Sequence, residues 1–256
     1  MNKVQFSHAN GFPAGSYTYL FELLNNTQVN FVEKMGHGDY PFNKNLENFA
    51  NELIESIENT YNEPVFGIGH SLGGVVTILA ASRRPDLFKK VIVLDPVLFS
   101  KRKRYIVWLL QKIGFTDWHG IIRKAKKRRT HFSNIEAVRN IYQQKTLFKK
   151  FHPKCFEDYL KYGFRQSEKG VELAISSKME ADIFRYIQLK VPPNLDKLNG
   201  VLIYGNNSNT FWKSDMKWWK RNFPNFEIVS FDGEHLFPFE QPEETAKLLN
   251  KYISEN

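Results

Sequence analysis

The sequence has a single cysteine, Cys155. That excludes an internal disulfide, and with it the small stapled scaffolds of secreted proteins; a packed thiol in a reducing compartment is expected. Long apolar runs are also missing. None approaches the roughly 20 residues a helix needs to cross a bilayer. The opening Met1-Asn-Lys-Val-Gln-Phe-Ser-His8 lacks the basic start, apolar stretch and small-residue cleavage site of a secretory leader, so a soluble, cytoplasmic protein is expected. No metal-ligand spacing, phosphate-binding loop or dinucleotide fingerprint occurs, and Gly36-His37-Gly38 reads as a turn. Chemistry without a cofactor or metal follows.

Acidic residues are scarce in one segment only. The chain carries a net charge of +9. Residues 101–130 hold eleven basic side chains against one acidic one, Asp117, so the rest of the chain sums to −1. Basicity is therefore local, and no nucleic-acid recognition motif accompanies it. Nucleic acid is not an expected partner. Four cations, Lys101 to Arg104, precede Tyr105-Ile-Val-Trp108-Leu-Leu, a pattern open to three readings. It suits a helix resting on an anionic membrane, a site for an acidic substrate, or a plain solvated face.

With 256 residues, 42% of them hydrophobic, the chain can bury a sizeable core. Short β-rich apolar runs alternate with helical patterns, the signature of a parallel sheet with crossover helices. Strands are expected at 4–7, 29–33, 65–68, 91–94, 201–204 and 227–231. Helices are expected at about 17–24, 46–61, 72–84, 212–222 and 242–253, with Phe49, Leu53, Ile54 and Ile57 forming the buried face of the second. The alternation stops near Phe99 and resumes near Val191, after which Pro192-Pro193 marks a linker. Residues 1–98 and 191–256 are thus expected to form one core, interrupted by a mainly helical cap at 99–190 with no strand able to extend the sheet. Tyr105, Trp108, Phe115, Trp118 and Phe132 are expected to form the interior of that cap, some of them lining the cleft.

Val65-Phe-Gly-Ile-Gly69-His70-Ser71-Leu72-Gly73-Gly74 is an apolar strand, a Gly-x-Ser-x-Gly turn and a helix start. Such a turn holds its serine in strained dihedrals above the sheet, and the glycines remove side chains that would collide. Ser71 is the candidate nucleophile, with the Leu72 amide facing a developing oxyanion. A serine hydroxyl needs a base. Among seven histidines only His235 follows the last strand, in Phe231-Asp-Gly-Glu-His235, and it is the candidate base.

Phe6-Ser-His8-Ala-Asn10-Gly11-Phe12-Pro13, Gly36-His-Gly38, Gly69-His-Ser-Leu-Gly-Gly74, and Glu234-His235 through Gln241-Pro-Glu-Glu together resemble the α/β-hydrolase superfamily, particularly its lidded, esterase- and lipase-like members. The resemblance spans the two core segments and leaves the cap unassigned. It implies an α/β-hydrolase fold lacking the two strands that usually precede the first one here, hence a six-stranded, wholly parallel sheet. It also implies a second oxyanion donor in the loop after that strand: the amide of Asn10, or of Gly11 or Phe12 in another register.

The acid of a triad often follows the penultimate strand in this superfamily, but Tyr204-Gly-Asn-Asn-Ser208-Asn209-Thr210 has no carboxylate. Asp95, ending the strand after the nucleophile helix, is the candidate, as in some lipases of the superfamily, and it preserves the chain order Ser71, Asp95, His235. Asn209 and Asp215 are the alternatives. The function implied is hydrolysis of carboxylic esters through an acyl-enzyme on a hydrophobic small-molecule acyl substrate. Thioester, lactone and carbon–carbon hydrolysis, and a non-catalytic ligand-binding homologue, remain open.

Overall fold

The apolar runs form strands because each is short, rich in β-branched residues and bounded by turn residues. The computed structural model describes residues 1–112, 120–186, 190–210 and 213–254. The first part of the chain lays down β1 (Asn2–Ser7), α1 (Thr18–Glu22), β2 (Thr27–Phe31), α2 (Glu47–Thr60), β3 (Val65–His70), α3 (Leu72–Arg83) and β4 (Phe88–Leu94). Then come α4 (Lys101–Lys112), α5 (Gly120–Lys126), β5 (His131–Phe132), α6 (Ile135–Tyr142), α7 (Pro153–Tyr162), β6 (Phe164–Ser167), β7 (Gly170–Leu173) and α8 (Ser177–Arg185). The last elements are β8 (Gly200–Gly205), α9 (Lys213–Asn222), β9 (Phe226–Phe231), α10 (Phe237–Glu240) and α11 (Pro242–Ser254).

Six strands form one sheet in the order β2-β1-β3-β4-β8-β9, every neighbouring pair parallel. This is the expected α/β-hydrolase sheet. The strand order reverses between β1 and β3, and the crevice outside the carboxyl ends of such a switch point is where open α/β sheets bind ligands. The loops after β1 and β3 open there. Both β3 and α3 are buried along almost their whole length, since helices and sheet cover them on each side. Phe49, Leu53 and Ile57 form the buried face of α2, with Ile54 at its margin. The second strand lies two residues earlier than expected, its register fixed by Asn2 opposite Thr27. Helix α1 is shorter than expected because a 3-10 turn, Ala14–Tyr17, takes up its start.

Between β4 and β8 the chain is mainly helical, but it also holds a small antiparallel sheet, β5-β7-β6, that the sequence reading missed. Its hairpin turns at Gly170, whose φ of +116° suits glycine alone, and Val171 and Leu173 alternate inward on β7. Four-residue strands with polar partners leave too short a period to stand out. This segment shares a core with the large sheet: Tyr142, Phe148, Phe151, Tyr159 and Phe164 pack in one cluster with Phe6, Tyr17 and Ile68. Cys155 is buried in that cluster, as expected of a packed thiol, and burial pushes the thiol up to about 12.

The expected aromatic interior of 99–190 needs correction. Phe132 is buried, but Tyr105 and Trp108 are 62% and 42% exposed on α4. Phe115, Trp118, His119 and Asp117 lie outside the described residues, as does Trp212, the expected start of α9. No helix among the described residues is long and apolar enough to cross a membrane.

Candidate active site

Ser71 sits between the last residue of β3 and the first of α3 with φ 55° and ψ −114°, a region that a side chain occupies only under strain. Three contacts hold it there. Its amide donates to the Leu94 carbonyl at 2.9 Å. A Cβ on Gly69 would lie 2.4 Å from the Gly73 carbonyl oxygen, and one on Gly73 would lie 2.0 Å from that of Ser7. Only glycine permits the close approach of β1, β3 and α3 that makes the turn this sharp.

His235 brings its Nε2 to 2.9 Å from Ser71 Oγ. On the other side of the ring, Nδ1 lies 2.5 Å from Asp95 Oδ2. Asp95 is fully buried at the end of β4, with φ 44°, and its amide donates to the Ile203 carbonyl. Its remaining acceptor capacity is filled: the Gly205 amide donates to Oδ1 at 3.1 Å and the Ser208 hydroxyl to Oδ2 at 2.7 Å. A buried carboxylate held by this many donors keeps its aim. Of the other acid candidates, Asn209 is exposed. Asp215 accepts the Ser100 amide at 2.8 Å and pairs with Lys103 at 3.6 Å. The loop in which a carboxylate was sought supplies two hydroxyls instead. Ser208 reaches Asp95, and Thr210 Oγ1 lies 3.2 Å from His235 Nδ1. Their only signal in the sequence was the polar run itself.

Ser71, Leu72 and Asn10 line one cavity of ≈ 50 Å³ with Leu46, Val75, Val97, Ile183 and Phe184. A wider groove of ≈ 520 Å³, lined by Asn2, Asn25, Lys247 and Asn250 among others, opens at the amino end of β1, away from these side chains. Leu72 begins α3, so its amide belongs to the first turn, whose N–H groups have no intrahelical acceptor. The direction of the Asn10 amide follows from peptide planarity. The Ala9 carbonyl accepts from His8 Nδ1 at 2.9 Å and from the Phe12 amide at 3.2 Å, and a trans peptide aims the Asn10 N–H the opposite way. Phe12 therefore has its own N–H engaged within the loop. The Asn10 side chain donates to the Glu180 carbonyl on α8, at 3.0 Å. Glu180 in turn pairs at 2.7 Å with Arg128, which also reaches the hydroxyls of Tyr142 and Tyr159.

His8 accepts the Met35 amide on Nε2 at 2.9 Å, which leaves the ring proton on Nδ1 for Ala9. Burial lowers its pKa to about 4 and that of the fully buried His70 to about 3. Below pH 6.5 an unfolded chain binds protons that the folded chain refuses, so these two groups make stability fall as pH falls toward 4 and 3 respectively. At pH 5 each contributes a loss of about 2 kcal/mol, taking about 1.4 kcal/mol per pKa unit. Glu33, Glu52, Asp158 and Glu240, raised chiefly by burial, act in the opposite sense. A difference measurement isolates the histidine: between pH 7 and 5, His8→Gln is expected to lose about 2 kcal/mol less unfolding free energy than the parent. Equal losses in urea titrations would refute it.

The profile of the alpha/beta hydrolase family matches residues 6–248. Rat monoglyceride lipase is 30% identical over 104 residues, which is 37% of this chain and 34% of that protein. A protein of Mycoplasma genitalium named as an esterase/lipase is 25% identical over 177 residues, 66% of this chain and 65% of its own length. The chain thus matches about a third of the rat enzyme. Among solved structures, E-2-(acetamidomethylene)succinate hydrolase superposes with a TM-score of 0.78 at 18% identity, covering 98% of this chain and 91% of that one. A likeness at that identity speaks for the fold, and the profile, spanning the elbow and the His235 loop alike, speaks for descent: this chain belongs to the α/β-hydrolase family.

Proposed function

We propose that the protein hydrolyses carboxylic esters through a covalent acyl-enzyme on Ser71. The observation that carries this reading is the continuous contact Ser71 Oγ, His235 Nε2, His235 Nδ1, Asp95 Oδ2, at 2.9 and 2.5 Å. His235 takes the Ser71 proton on Nε2 as Oγ attacks the acyl carbon, and Asp95 stabilises the imidazolium without being protonated. The carbonyl oxygen becomes an oxyanion held by the Leu72 and Asn10 amides. As the tetrahedral intermediate collapses, the ester C–O bond breaks and the Nε2 proton passes to the departing alkoxide. A water then gives a proton to Nε2 and attacks the acyl carbon, and as the acyl C–Oγ bond breaks that proton returns to Oγ, releasing the carboxylic acid and restoring Ser71.

The lipase and esterase names of the relatives support small-molecule esters as the substrate class, and the side chains around Ser71 offer an apolar seat for the acyl group. Thioesters and lactones would follow the same steps with a different leaving group, so p-nitrophenyl butyrate, butyryl thioesters and simple lactones should be compared side by side. A fluorophosphonate probe tests the core of the reading. One adduct on the Ser71 peptide, abolished by prior heat denaturation, is expected, whereas an inert Ser71 would leave a ligand-binding homologue in its place.

We also propose that α4 rests on anionic lipid. Its polarity is inverted: Tyr105, Ile106, Trp108 and Leu109 are exposed with Lys101, Arg102 and Lys112. Lys103 turns in over the Phe99 ring at 4.0 Å, and Arg104 turns in over Trp218. Apolar side chains rimmed by cations match the boundary of an anionic bilayer. Vesicles containing phosphatidylglycerol should sediment the protein, and phosphatidylcholine vesicles should not. Trp108→Glu should weaken binding at least about fivefold, since a charge near an anionic surface alone is worth about 1 kcal/mol and the apolar ring is lost as well. Binding indifferent to lipid charge would reject this surface.

A further inference from the structure

His70, the variable residue of the nucleophile turn, is fully buried, and the acyl-transfer steps make no use of it. Its two ring nitrogens are nonetheless both engaged, and the partners lie on opposite sides of the site. Nδ1 is 2.7 Å from the hydroxyl of Tyr17, and Nε2 is 2.9 Å from the backbone carbonyl of His235. Tyr17, also fully buried, receives the Ala9 amide on that same hydroxyl oxygen at 3.2 Å.

The hydrogens in this set can be placed by elimination. Ala9 N–H can only donate, so the Tyr17 oxygen is its acceptor. The His235 carbonyl can only accept, so a neutral His70 carries its ring hydrogen on Nε2 and presents a lone pair on Nδ1, which takes the single Tyr17 proton. Every group in the chain Ala9 N–H, Tyr17 O–H, His70 N–H, His235 C=O has one role, and the directions agree from end to end. The two ends are the peptide before the Asn10 oxyanion amide and the peptide from which the catalytic imidazole hangs.

We propose that Tyr17 and His70 are positioning residues that fix the oxyanion loop and the His235 loop relative to each other. Resting on the Ser71 and His235 reading above, this assignment explains why a histidine occupies the elbow beside the serine without touching the reacting atoms. The rings around the pair restrain it further: Tyr17 packs on Phe239 at 4.3 Å between centroids, and His70 lies edge-on to Phe239 at 6.1 Å. Neither residue contacts the cavity beside Ser71, so its removal should disturb the transition state more than substrate binding. A displacement well under 1 Å in either loop suffices for that, because a misplacement of about 1 Å can cost about a hundredfold in rate.

Tyr17→Phe removes one oxygen and keeps the ring. Steady-state kinetics on p-nitrophenyl butyrate should show kcat lowered ten- to a hundredfold with KM within about threefold of the parent. His70→Leu should reach the same level, and the double variant should fall no further, since both break one chain. His70→Gln, whose amide can accept from Tyr17 on Oε1 while donating to the His235 carbonyl on Nε2, should recover most of the loss. Imidazole ¹⁵N NMR of the parent protein should show His70 as the Nε2–H tautomer, and in Tyr17→Phe the Nδ1 resonance should move downfield toward that of a free lone pair as its hydrogen bond is lost. Parent-like kcat in both single variants, additive losses in the double variant, or an Nδ1–H His70 in the parent would each overturn the proposal. The NMR result stands even where a variant does not fold. Full activity in Ser71→Ala would instead overturn the nucleophile assignment, so the two failures are separable.

Discussion

Ser71→Ala is expected to lower kcat on p-nitrophenyl butyrate by about 10⁵- to 10⁶-fold, with KM changed little. The size of the effect follows from what the hydroxyl does. In the proposed mechanism it is the atom that forms the bond to the acyl carbon, and no neighbouring histidine is free to replace it: His8 and His70 are buried and occupied by other partners. The Leu72 and Asn10 amides, the proposed oxyanion donors, survive the change, so a residual rate above that in buffer is expected from orientation and electrostatics alone. Folding should be unaffected or slightly improved. The strain at φ 55° belongs to the backbone, and alanine keeps the Cβ. Matched thermal melts therefore distinguish loss of the nucleophile from loss of structure, and turnover within tenfold of the parent would remove Ser71 from the mechanism.

The parts of this site that the sequence made legible are those with an obligatory local geometry. Gly69 and Gly73 are readable because a Cβ at either would run into backbone atoms at 2.4 and 2.0 Å. Their spacing carries the turn, and the turn fixes where Ser71 must be. His235 is readable because it alone among the histidines follows the last strand. The loop after β1, proposed to hold the oxyanion, is readable only by resemblance, since its geometry depends on His8, Phe12 and Tyr17 holding Ala9 from three directions. Such a cluster has no periodic signature. Ser208 and Thr210 were missed for a related reason: a hydroxyl in a polar loop acquires meaning only when β4 brings Asp95 beside it. The aromatic residues of 99–190 misled because helical periodicity says that a helix has two faces but not which one turns inward. On α4 two of the four leading cations, Lys103 and Arg104, point in, and Tyr105 and Trp108 point out.

Asp95→Asn carries the second largest expected effect, a fall in kcat of about 10⁴-fold, while Asn209→Ala should leave kcat within about twofold. The substitution is nearly isosteric, so its consequence lies in hydrogens. In the parent, Oδ1 accepts from the Gly205 amide, and Oδ2 accepts from both Ser208 and His235. An asparagine must keep its oxygen toward the Gly205 N–H, because the reverse would face two donors across 3.1 Å. Its NH₂ group then points at Ser208 and at His235 Nδ1. The hydroxyl can rotate to accept; the imidazole can accommodate the new donor only by moving its proton to Nε2. That nitrogen faces Ser71 Oγ at 2.9 Å, so the base would arrive already protonated in its neutral form. Combining Asp95→Asn with Ser71→Ala should cost no more than Ser71→Ala alone, since the acid acts only through a base that no longer has a nucleophile to serve. A large loss in Asn209→Ala with a parent-like Asp95→Asn would move the orienting role to the loop after β8. Comparable losses in both would show that this loop, and not one carboxylate, sets the tautomer of His235.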